Sequence, residues 1–108
     1  MPVYNKLVRD RIPKIMEAQG KRLKVRTLVE DEYVRELKNK SKEELDEYLN
    51  TDNDGDATEE LADLLEVIHA LARVHGTDMA GIEKIRMKKA AERGGFNERF
   101  FLIEAEGE

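Results

Sequence analysis

The sequence predicts an all-α fold, a single domain over residues 1–108 built as a four-helix bundle completed by oligomerisation, with a short extended segment and an extended C-terminal tail. Three observations predict it. Apolar residues recur at helical spacing in four stretches separated by Gly or polar stops, and the third of these is apolar round most of its circumference. Strand-like alternation is confined to Leu23, Val25 and Thr27, too little to found a sheet. And 108 residues make one domain with a modest core, for which a partner chain is a natural source of further burial.

The first helix follows an entry segment, with Asp10 as a candidate N-cap, Pro13 in the first turn and Gly20 as the stop. Ile12, Ile15 and Met16 give it a small apolar face. Lys21 to Val29 reads as the extended piece. Asp31 is a candidate N-cap for a second helix running to about Asn50, and Thr51 to Asp56 reads as a polar turn round Gly55. Asn50, Asp52, Asp54, Gly55 and Asp56 match the first half of a calcium-loop spacing, but the closing glutamate would fall on Leu61, so the loop is incomplete. The third helix spans about Ala57 to His75 and ends at Gly76. Thr77 or Asp78 opens a fourth, which runs toward Ala91 and stops at Gly94 and Gly95, leaving the aromatic tail Phe96 to Ile103.

Charge is distributed unevenly along these elements. Glu43 to Asp63 holds ten acids and no Lys or Arg, so a chain of net charge −5 carries +5 outside that stretch. Glu44 with Glu47, and Glu60 with Asp63, are each spaced i,i+3 on one helix face. On the second helix Glu44 falls on the arc of Tyr33, Leu37 and Tyr48. On the third, Glu60 and Asp63 fall on the arc of Val67, while Glu59, Glu66, His69 and Arg73 gather on the polar side. Buried carboxylates are costly without a counter-charge. Four of them converging from two helices point to a hard cation with oxygen ligands, Mg²⁺ or Mn²⁺.

Other function classes recede. With no cysteine, there are no disulfides, thiolate zinc sites or thiol nucleophiles, which fits a reducing compartment. No run of apolar residues reaches spanning length, and the charged start lacks a signal-peptide core, so the expectation is a cytoplasmic protein with no membrane contact. Net acidity argues against non-specific nucleic-acid binding. His69 on the polar side and His75 at a helix end are weak as ligands or bases. Two basic groups remain: Lys6, Arg9 and Arg11 before the first helix, which spacing alone reads more readily as a solvated start than as a phosphate cluster, and a stripe of Arg86, Lys89 and Arg93 ending in Arg-Gly-Gly-Phe.

Tyr4-Asn5-Lys6-Leu7-Val8-Arg9-Asp10-Arg11-Ile12-Pro13, Glu43-Glu44-Leu45-Asp46-Glu47, Glu60-Leu61-Ala62-Asp63 and Arg93-Gly94-Gly95-Phe96 occur in this order, with twelve residues between Glu47 and Glu60. In this the chain resembles the MazG-like all-α nucleotide pyrophosphohydrolase superfamily over nearly its whole length, and within it the group labelled phosphoribosyl-ATP pyrophosphohydrolase-like. Arg11 stands where that pattern has Lys, keeping the charge and changing the hydrogen-bond fork. The resemblance implies a helical homodimer or homotetramer with Mg²⁺, or Mn²⁺, held by Glu44, Glu47, Glu60 and Asp63. It implies hydrolysis of the α–β phosphoanhydride of a nucleoside triphosphate to monophosphate and pyrophosphate, with Mg²⁺ bridging phosphate oxygens and activating water. Glu47 or Glu43 would take the water's proton. Lys6, Arg9, Arg11, Lys89 and Arg93 would bind the nucleotide's phosphates. Two alternatives stand beside it: hydrolysis of phosphoribosyl-ATP in histidine biosynthesis, and a non-catalytic helical interaction module. Tyr33, Tyr48 and Phe96 could stack on a base, although filling the core is their commoner use.

Overall fold

The computed structural model describes residues 2–107. It contains four helices, α1 (Ile12–Ala18), α2 (Glu30–Leu49), α3 (Asp54–Val74) and α4 (Met79–Arg93), and no strand among the described residues. The segment over residues 21–29 forms neither helix nor strand, and within it Arg26 Nη1 and Nη2 donate to Glu32 at 3.0 and 2.8 Å.

Three helix starts differ from the sequence expectation. Arg11, not Asp10, immediately precedes α1, and no side chain caps it; Pro13 tolerates this because its missing N–H would be unsatisfied there anyway. The second helix begins at Glu30 behind an extended Val29, so Asp31 lies inside the first turn with Glu30 and Glu32. Three acids at the positive end of the helix dipole replace a capping hydrogen bond. The third helix begins at Asp54 because Asn53 is a better cap than the turn expected round Gly55: its side chain accepts from the Asp56 amide at 2.8 Å. The calcium-like positions Asp54, Gly55 and Asp56 are thus the first turn of a helix. Asp78 caps α4 by accepting from the Gly81 amide at 2.9 Å, and Gly94, at φ 82°, ends it in a conformation that favours glycine.

Helices α2 and α3, joined by only four residues, pack as a long hairpin, whereas α4 leans on α3 alone and α1 packs on no other helix. The buried apolar residues are Leu37, Val67 and Ala72, and Glu44 is the one buried charged side chain among the described residues. Much apolar surface is left over. Leu61 and Leu65 on α3, Leu45 and Leu49 on α2, and Ile85 and Met87 on α4 are exposed, as are Phe96, Phe100, Phe101, Leu102 and Ile103 in the tail. The tail makes one turn, the Arg99 amide donating to the Phe96 carbonyl at 3.2 Å. The radius of gyration is 18.7 Å, against about 13 Å for a compact chain of this length.

Candidate metal centre

The hairpin brings acids from both helices to one place. On α2, Glu44 lies two turns beyond Leu37, so it is carried inward with it. On α3, Glu60 and Asp63 occupy the arc that Val67 anchors against α2. Carboxylate oxygens of Glu44, Glu47 and Glu60 come within 4.8 Å of one another. Oxygen ligands at about 2.1 Å around one small divalent cation lie roughly 3–4 Å apart, so this trio is close to a ligand set.

Two observations test whether a cation fits. The Glu44 and Glu60 Oε2 atoms are both buried and have no hydrogen-bond partner, a cost that a protein normally avoids. Ionisation is also resisted: Glu44 is pushed up to about 7 from the ordinary 4.5, first by burial, then by the neighbouring Glu47 and Asp63 charges, with Lys40 opposing. Glu60 is raised too, by burial and then by Glu47 and Asp63. Hard, anionic, electrostatically strained oxygens with unfilled lone pairs are the donor set that Mg²⁺ or Mn²⁺ would satisfy.

The other expected residues divide. Asp63 stands outside the trio, its Oδ1 accepting from Arg9 Nη2 at 2.8 Å. Glu43 is turned to Lys40, whose ammonium is 3.4 Å from Glu43 and 3.8 Å from Glu44. Arg9 and Arg11 line a groove of about 430 Å³ that runs from Glu44 and Asp63 past Leu37 and Tyr33. Lys6 is exposed, with its ammonium 6.0 Å from the Tyr4 ring centre. Lys89 and Arg93 are exposed on α4 and do not line this groove. Phe96 is almost wholly exposed, so it fills no core in this chain.

Sequence reasoning missed two cations. Lys40 is three and four residues before Glu43 and Glu44, a spacing that marks it as their same-face partner, and its side chain is only 20% exposed. Arg73 and Glu66, assigned to the solvent side, line the groove beneath the N-terminal segment. No signal in the helix periodicity could show that a segment without regular structure crosses that face. No helix of the described residues is long and apolar enough to cross a membrane. No family model, curated protein or solved structure matches this chain.

Proposed function

We propose that this chain is a Mg²⁺-dependent nucleotide pyrophosphohydrolase of the MazG-like type, cleaving the α–β phosphoanhydride of a nucleoside triphosphate in the cytoplasm. The observation that carries the reading is the convergence of Glu44, Glu47 and Glu60 with two buried, unpartnered oxygens among them. A bound Mg²⁺ would neutralise phosphate charge and acidify a water molecule. The chain's own groups take the remaining roles. Glu47, the exposed member of the trio, would accept a proton from an attacking water, with Glu43 one turn earlier as the alternative. Arg9 and Arg11 bring guanidinium forks to the groove, where they would bind phosphate oxygens in pairs. Lys6 would add charge from the same segment, and Lys89 and Arg93 from α4. The uncovered apolar faces support assembly as a homodimer or homotetramer.

The test is a panel of nucleoside triphosphates plus phosphoribosyl-ATP, incubated with and without MgCl₂ and scored for monophosphate and pyrophosphate. Turnover of a triphosphate that needs Mg²⁺ is the expected result. Turnover of phosphoribosyl-ATP alone moves the reading to that substrate. Absence of turnover together with absence of Mg²⁺ binding overturns it in favour of a non-catalytic interaction module.

A further inference from the structure

Residues 2–10 form no helix or strand, yet Leu7 and Val8 are half-buried along the groove. One ion pair fastens this segment to the helical hairpin among the described residues, Arg9 Nη2 to Asp63 Oδ1 at 2.8 Å. Asp63 is one turn from Glu60 on the same face of α3, and its charge reaches both Glu60 and Glu44. Its carboxylate nevertheless stands outside the trio whose oxygens converge. Both partners are substantially exposed, 58% for Arg9 and 41% for Asp63, so the pair is weak enough to exchange.

We propose that Arg9 is a clasp that competes with the cation for Asp63: it holds Asp63 out of the acidic trio until a divalent cation binds, and is then released to the substrate's phosphates. The inference rests on the cation reading above. Arg9 is thereby a positioning residue for the cation site and a binding residue for the nucleotide, and the two roles oppose each other. Cation binding comes before productive nucleotide binding, because only release from Asp63 frees both ends of the guanidinium fork.

Calorimetric titration of MgCl₂ into the full chain tests this with four proteins: wild type, Arg9→Ala, Asp63→Asn and the double variant. Arg9→Ala is expected to bind Mg²⁺ about two- to five-fold more tightly than wild type, the change expected from removing an exposed ion pair. In the Asp63→Asn background the same substitution is expected to add nothing, which separates a clasp from general removal of positive charge. In wild type, saturating Mg²⁺ should move the Arg9 guanidinium resonances toward those of Asp63→Asn. Unchanged or weaker Mg²⁺ binding by Arg9→Ala overturns the clasp, as does an equal gain in the double variant. A wild-type chain that takes up no Mg²⁺ overturns the cation reading and the clasp with it, whereas wild-type binding without the Arg9 effect overturns the clasp alone.

Discussion

Glu44→Gln should stabilise the metal-free protein at pH 8, although it removes one partner of an ion pair. Glu44 has Lys40 at 3.8 Å, but burial and the neighbouring acids outweigh that cation and push its carboxyl up to about 7. A raised carboxyl pKa means that the fold favours the neutral form. The associated stability is fully present below about 4.5, is lost as pH climbs from there to about 7, and changes no further above that. At about 1.4 kcal/mol per unit, ionised Glu44 costs the folded state at most about 3.5 kcal/mol at pH 8. Glutamine removes the charge and offers an amide that can donate to Glu47 or Glu60. It remains a buried polar group, so the gain is smaller, about 1–2 kcal/mol.

For a domain of this size that corresponds to a rise in Tm of roughly 4–8 °C. The measurement is calorimetric melting of both proteins in chelator at pH 5 and pH 8, at one protomer concentration so that assembly does not enter the comparison. The variant should melt higher than wild type at pH 8 and no higher, or lower, at pH 5. Adding Mg²⁺ at about 100 times its Kd should then raise wild type by about 2.7 kcal/mol and leave the variant unmoved, which reverses the order. A metal-free Glu44→Gln protein that melts below wild type at pH 8 would refute the reasoning, since it would make Glu44 a stabilising partner of Lys40 rather than a strained acid.

Glu60→Gln should abolish Mg²⁺-dependent turnover and the Mg²⁺-induced rise in Tm with the helical circular dichroism intact, because Glu60 belongs to the trio. Asp63→Asn, outside the trio and tied to Arg9, should weaken Mg²⁺ binding rather than remove it, and wild-type kinetics in both variants would sink the metal assignment. Light scattering at micromolar concentration should give a dimer or tetramer, and a fully active monomer would contradict that. Arg93→Ala should lower kcat/KM by roughly ten- to a hundred-fold with Mg²⁺ affinity unchanged, the cost of one charge-assisted fork of about 1.5–3 kcal/mol. An unchanged kcat/KM would leave Arg93 as no more than the last residue before the Gly94 stop.

The parts of this molecule that were legible in its sequence are those set by one helix at a time. The four helices follow from apolar period and from Gly stops, and the inward turn of Glu44 and Glu60 follows from their positions on the arcs of Leu37 and Val67. Helix starts were less legible, because Asp10, Asp31 and Asn53 are all acceptable caps and the choice depends on the backbone before them. The irregular segment was the least legible. Arg9 meets Asp63 across 54 residues of chain, a contact that no periodicity encodes. Its consequence is to divide four expected ligands into three that converge and one that is already engaged.

The same contrast between one helix and its surroundings applies to the back of α3. Leu61 and Leu65 lie roughly 100–160° round the helix from the acids that face α2, at 100° per residue, so they point away from the hairpin's core. They are 48% and 45% exposed. The whole chain exposes 10067 Å², where a compact protein of 12.5 kDa would expose about 6,200 Å². The difference is about 3,900 Å², and the exposed tail residues Phe96, Phe100, Phe101, Leu102 and Ile103 contribute to it along with the open helix faces. A second copy laid along α3 would cover Leu61 and Leu65 without disturbing the acids, because the two faces point apart. Cation binding would then depend on the hairpin within one chain, and assembly would add to that hairpin's stability from its other side. Loss of assembly should lower Tm at constant Mg²⁺ stoichiometry, and loss of Glu60 should do the reverse.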